Sequence, residues 1–231
     1  MFGVAPVNLK GYVVRMKITP ELLRLMFPGA NAKTLERKTP FIIGAMVWGN
    51  IVDPYEVAAY CAHVAIESGE FRYVREIHDG SNYEGRRDLG NVYDGDGIRF
   101  PGRGDIQLTG RDVARKAGTV LGADFENNPG LMERDEWASL CSAYFWTRYK
   151  PWLPYMARRG WFHATQIAVN GGENHFKQRT NFYNLNLSLF NLPLYSGVSD
   201  EQTKIRYFQA EKGLVPDGIP GPKTWNALLR S

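Results

Sequence analysis

Cysteine is scarce in this chain of 231 residues, with only Cys61 and Cys141. Each falls in an apolar helical pattern, which favours two buried free thiols over a disulfide or a nucleophile. Histidine is nearly as rare, and the H-E-x-x-H arrangement of a zinc-binding helix is absent. His63 precedes Glu67 by one helical turn and reads as a packed or supporting side chain, not a metal ligand. No apolar run approaches the roughly twenty residues that a membrane span needs. The opening residues also lack a basic start followed by an apolar stretch. The expectation is a soluble monomer, made in the cytoplasm without a signal peptide, with no stable membrane association. Charge of one sign is not concentrated either. Lys and Arg total 28 against 24 for Asp and Glu, a net +4 and a pI near 9.0. With no basic run or aromatic-laced basic stripe, nucleic acid is disfavoured, although mild basicity suits an anionic partner.

What is present is helical patterning. Thr19-Pro20-Glu21 opens a helix, with Thr19 as cap and Leu22, Leu23, Leu25 and Met26 as apolar face. A second helical stretch runs to about Asn50. Asp53-Pro54-Tyr55-Glu56 then reads as a capping box, and Val57, Tyr60, Cys61 and Val64 recur at helical spacing. Gly69 is placed to stop that helix. A long Gly/Asp/Arg-rich segment follows. Its D-G-D-G piece (Asp94 to Gly97) lacks the ligand spacing and closing Glu of a calcium loop. Thr109 is a plausible cap for the next helix. Further helices are expected over Asp135–Tyr149, Trp161–Val169 and from Phe176 to about Leu192. Ser199 to Gln202 reads as another capping box. The expected organisation is an N-terminal extension (1–18), a mainly α domain with a cleft (19–192), a linker (193–198) and a small helical module (199–231). That last piece is too short to bury a good core alone, so it should pack on the main domain.

Glu67 ends the Asp53 helix on the face of Tyr60 and Val64, where a carboxylate is costly unless it is paired or doing chemistry. Glu76 lies nine residues on, beyond a Ser-Gly turn. Two carboxylates across one cleft, one in an apolar setting and one beside Arg72 and Arg75, form the general acid/base pair that glycosidic cleavage needs. An ordinary ion-pair role for Glu76 stays open at this point.

Four motifs in order bear on the choice. They are A-H-V-A-I-E-S-G-E-F-R-Y-V-R-E, Y-E-G-R-R-D-L-G-N, G-R-G-D-I-Q-L-T-G-R and V-N-G-G-E-N-H-F-K-Q-R. Together they resemble glycoside hydrolase family 19, closest to its phage and bacterial endolysin branch, over roughly residues 50–190. The resemblance implies a lysozyme-like helical domain in which Glu67 is the general acid and Glu76 the general base. It makes Thr109 the residue that helps to hold the attacking water. Gln107 and Asn170 would line the sugar cleft, Tyr83 and Arg103 would contact substrate, and Arg179 would lie near the acidic pair. Asp105 stands where the family more often has Pro or Tyr, and Ala-Val-Asn-Gly-Gly replaces Ile-Asn-Gly-Gly; both departures bear on subsite preference. No metal or cofactor is implied.

The C-terminal I-R-Y-F-Q-A-E-K-G-L and D-G-I-P-G-P-K-T-W-N-A-L resemble the later helices of a three-helix peptidoglycan-binding module whose first helix is missing. The implied partner is bacterial peptidoglycan, reached from the host cytoplasm after release. The implied activity is a muramidase; a chitinase, a lytic transglycosylase and a non-catalytic wall-binding protein are the alternatives.

Overall fold

The computed structural model describes residues 18–231, so the expected extension lies almost wholly outside the described residues. Helix α1 (Pro20–Met26) starts as its sequence demands, with Thr19 Oγ1 accepting the Leu22 N–H at 3.2 Å. Helix α2 (Ala32–Gly49) is capped by Asn31 and carries Pro40 in its interior. Helix α3 (Pro54–Glu67) is capped by Asp53, whose Oδ1 accepts from Tyr55 and Glu56 N–H.

The capping box is only half built. Glu56 does not reach back to Asp53. It turns inward, where Trp146 Nε1 (3.2 Å) and Arg158 Nε (2.7 Å) donate to it. Burial pushes its pKa up to about 7 against the opposing pull of Arg158. Nor is α3 amphipathic: every residue from Glu56 to Ala65 is buried. Its run of Ala58, Ala59, Ala62 and Ala65 lets neighbouring helices approach closely on several sides. The helix is therefore the central rod of the domain, packed by α7 (Leu153–Arg158), α8 (Phe162–Asn170) and α9 (Phe176–Leu189). Both thiols are buried and unpaired with each other, as their apolar settings predict.

Between α3 and α5 (Arg111–Leu121) the chain makes short 3-10 turns, the one-turn α4 (Asp96–Arg99) and, among the described residues, no strand. Isolated antiparallel bridges join Arg75 to Arg103 and Arg103 to Leu108. Side chains order this long segment. Glu84 accepts from Gly95 and Gly97 N–H, and a Cβ on Gly97 would sit 2.6 Å from Glu84 N. Asp96 accepts from Val92 and Tyr93 N–H and pairs with Arg111, so the D-G-D-G piece clamps a loop.

Helix α6 (Asp135–Tyr144) packs along α2 and runs into a π-helical turn, Phe145–Tyr149, whose Trp146 is fully buried. The last two helices, α10 (Val198–Glu211) and α11 (Pro222–Leu229), dock on α7 and α8. Trp152 stacks on Trp225 with centroids 4.6 Å apart, and Trp161 meets Phe208 edge-on at 5.4 Å. The second expected capping box is absent, because α10 begins after Gly197 without a side-chain cap.

Candidate active site

Glu67 occupies the last turn of α3, where the fully buried rod reaches solvent; its side chain is 18% exposed. The helix ends at Ser68, whose hydroxyl donates to Val64 O and accepts the Phe71 N–H. Gly69, Glu70 and Phe71 then all take positive φ, between 55° and 67°. Left-handed conformation costs an L-residue roughly 1–2 kcal/mol, so this turn needs external support. The Gly29 N–H donates to Glu70 Oε2 at 2.7 Å, and Phe71 packs against Phe27 with centroids 4.7 Å apart. The turn swings the chain so that Tyr73 N–H meets Ser68 O, and the 73–76 segment leaves from beside Glu67.

Glu76 lies on that segment, anchored by its own N–H on Gly102 O. Tyr83 O–H donates to Glu76 Oε1 at 2.8 Å and Gly102 N–H to Oε2 at 3.0 Å. Burial and the adjacent carboxylate raise the Tyr83 phenol to about 12, so it remains a donor near neutrality. Arg72 and Arg75, expected to support this carboxylate, are exposed, and the groups that hold Glu76 are Tyr83 and Gly102.

Gln107 stands close by. A Cβ on Gly102 would lie 3.0 Å from Gln107 Oε1 and 3.3 Å from Glu76 Oε2, which brings both side chains to one point. Gln107 has φ 56° and its amide donates to Gly104 O. Thr109 Oγ1 donates to Gln107 O at 3.1 Å. Thr109 is not the cap of α5, whose capping position is Gly110.

The remaining candidate residues come from α8 and α9. Asn170 is exposed at the end of α8, just before Gly171 reverses the chain. Gln166, buried and not anticipated from sequence, holds the following loop by donating to Gly172 O and Asn174 O. Arg179, 1% exposed, pairs through Nη2 with Glu67 Oε1 at 2.6 Å. Its other terminal nitrogen lies 3.1 Å from His63 Nδ1, and His63 Nε2 lies 2.9 Å from Thr165 Oγ1. The surroundings of Glu67 are therefore not simply apolar, as its helix face alone suggested.

Two residues fall elsewhere. Arg103, expected to contact substrate, is buried and donates to Glu133, Arg99 O and Pro101 O, so its side chain is engaged internally. Asp105, the departure from the family pattern, is also buried. It pairs with Lys38 at 2.8 Å and accepts from Ser139, while burial pushes its carboxyl pKa up. Its place is in the core.

Solved structures share this architecture. Chitinase C from Streptomyces griseus HUT6037 superposes with a TM-score of 0.62 at 20% identity, covering 78% of both chains. The family GH19 class IV chitinase from Zea mays superposes at 0.61 and 19% identity, over 77% of this chain and 94% of its own. The fold is that of the family 19 chitinases. In sequence, 119 residues are 35% identical to endochitinase EP3 of Arabidopsis thaliana, half of this chain but 41% of that protein. The chain thus spans less than half of that relative. A peptidoglycan binding domain model matches residues 189–228, from the end of α9 through α11. The segment that matches this model packs through α10 and α11 against α8 and α7.

Proposed function

We propose that the chain is a glycoside hydrolase that cuts the glycan strand of bacterial peptidoglycan, an endolysin-like muramidase working with inversion. The observation that carries this reading is the pair of differently held carboxylates: Glu67 on a buried guanidinium, Glu76 on a phenol and a backbone N–H. In the proposed reaction Glu67 protonates the leaving glycosidic oxygen. Glu76, hydrogen-bonded at both oxygens, accepts a proton from a water on the opposite face of the ring. Thr109 has its own proton committed to Gln107 O, so its lone pairs suit the water's second hydrogen. Such a water would present its lone pair to the anomeric carbon. Gln107, beside Glu76, and the exposed Asn170 are assigned to the sugar. Inversion requires the two carboxyls roughly 6.5–9.5 Å apart with the water between them.

Peptidoglycan is favoured over chitin because a peptidoglycan binding domain model matches residues 189–228. Chitin remains the second reading, since the sequence relative named above is an endochitinase. Mass spectrometry of purified peptidoglycan after digestion, with Glu67→Gln as control, separates the possibilities. Reducing N-acetylmuramic acid ends, absent from the control, support the muramidase. Reducing N-acetylglucosamine ends indicate a glucosaminidase and anhydro ends a transglycosylase. Cleavage of chitin oligosaccharides alone moves the assignment to chitinase, and bound but intact wall leaves a binding protein.

A further inference from the structure

His63 is completely buried one turn before Glu67, and the reaction proposed above does not use it directly. Its hydrogen bonds can be assigned without ambiguity from those of its neighbours. Thr165 Oγ1 lies 2.7 Å from Phe162 O, a carbonyl that can only accept, so the Thr165 proton is committed there. Towards His63 the same hydroxyl can then only accept, which places the imidazole proton on Nε2. Nδ1 is left with its lone pair, and the group facing it is the Arg179 guanidinium, which has only donors. The chain of bonds runs in one direction: Arg179 donates to His63, His63 to Thr165, Thr165 to the backbone of α8.

We propose that His63, as the neutral Nε2–H tautomer, is a positioning residue that fixes the Arg179 guanidinium against Glu67. One Arg179 terminal nitrogen is held by His63 and the other meets Glu67 Oε1, so the fork is anchored at one tine and presented at the other. Without that anchor the guanidinium could rotate about its side chain, and the carboxylate it orients would move with it. Phe162 stacks on the imidazole at 5.1 Å and Trp146 lies at 5.8 Å, so the ring is gripped on apolar faces. Burial and the adjacent Arg179 charge both hold the His63 pKa well below its ordinary value, in keeping with the neutral form. A protonated ring would turn an N–H towards a cation and break the chain at its centre.

The role rests on the hydrolase reading, and its test separates the two. Long-range ¹H–¹⁵N correlation on the intact protein at pH 7 reports the His63 tautomer without any substrate. The expected pattern is an unprotonated Nδ1 and a protonated Nε2; a protonated Nδ1 overturns the proposal, because it cannot accept from Arg179. In turnover of soluble glycan or chitin oligosaccharides, His63→Leu should lower kcat about 10–100-fold with KM little changed. His63→Gln, which can accept at one atom and donate at the other, should recover most of that loss. A folded His63→Leu protein with wild-type kcat overturns the proposal. If His63→Leu does not fold, Thr165→Val provides the same comparison, since it removes the acceptor that sets the tautomer; unchanged kcat there counts against the proposal. Wild-type protein that cleaves no glycan defeats the hydrolase reading, while the tautomer measurement still stands.

Discussion

Glu201 Oε1 accepts the backbone N–H of Ala164 at 2.7 Å, so a side chain of α10 caps a helix more than thirty residues away in sequence. Its second oxygen accepts the His163 N–H and the Tyr195 hydroxyl, both at 2.8 Å. Helix α8 has no side-chain cap of its own, and the first turn of a helix leaves backbone N–H groups without partners. The segment that matches the peptidoglycan binding domain model is thus built into the domain that carries Asn170.

Replacing Glu201 by Ala should therefore destabilise the whole protein, by about 1–3 kcal/mol, because buried N–H groups lose their acceptor. Deleting residues 198–231 should cost more, since it also uncovers Trp152 and Trp161. Urea denaturation checks both. A single transition that shifts as a unit is expected; separate transitions for the two segments would show that they fold independently.

The turn after Glu67 offers a second test. A Cβ on Gly29 would stand 2.3 Å from Glu70 Oε1, so Gly29→Ala must push the Glu70 side chain away and break its bond to the Gly29 N–H. The expected cost is about 1.5–3 kcal/mol, typical of a hydrogen bond to a charged group. Glu70→Gly loses the same bond but relaxes a left-handed residue, so its net effect should be small. In the Glu70→Gly background Gly29→Ala should cost little. The double-mutant cycle measures that coupling directly, and additive effects would refute the arrangement.

Asp105→Ala should be strongly destabilising, by about 3–5 kcal/mol, because it leaves the Lys38 ammonium buried with only the more distant Asp135 at 3.4 Å. Lys38→Met with Asp105→Leu should cost far less than the sum of the single changes. If the folded double variant keeps its activity, Asp105 has no part in sugar binding; a specific rise in KM would say otherwise.

Glu56 predicts a pH dependence. Its pKa is about 7 in the folded protein against 4.5 for the unperturbed group. Between those values the native state binds more protons than the unfolded chain, so stability falls as pH rises through this window. The span sets a ceiling on the order of 3 kcal/mol. Glu56→Gln keeps an acceptor for Trp146 and should flatten thermal stability measured from pH 4.5 to 7.5. An unchanged slope would assign the dependence to other groups.

Much of the helix plan was legible locally. The caps Thr19 and Asp53 and the prolines Pro20 and Pro54 act within a turn of themselves, so the chain around them determines the outcome. The order of the four motifs and the spacing of Glu67 and Glu76 likewise belong to the sequence, and they were enough to point to the family 19 fold. Tertiary structure decided whatever depended on burial. Glu56 stands where a local capping role was expected and left it for partners in the interior, while Glu201 caps the distant α8. A desolvated carboxylate gains more from a buried donor than from an exposed backbone N–H. The same competition turned Arg103 towards Glu133, paired Asp105 with Lys38, and joined Arg179 to His63 and Glu67 across more than a hundred residues. The sequence by itself determined which residues could do chemistry; only the packed interior decided which of them took buried partners, because a charge removed from water is costly unless it is paired.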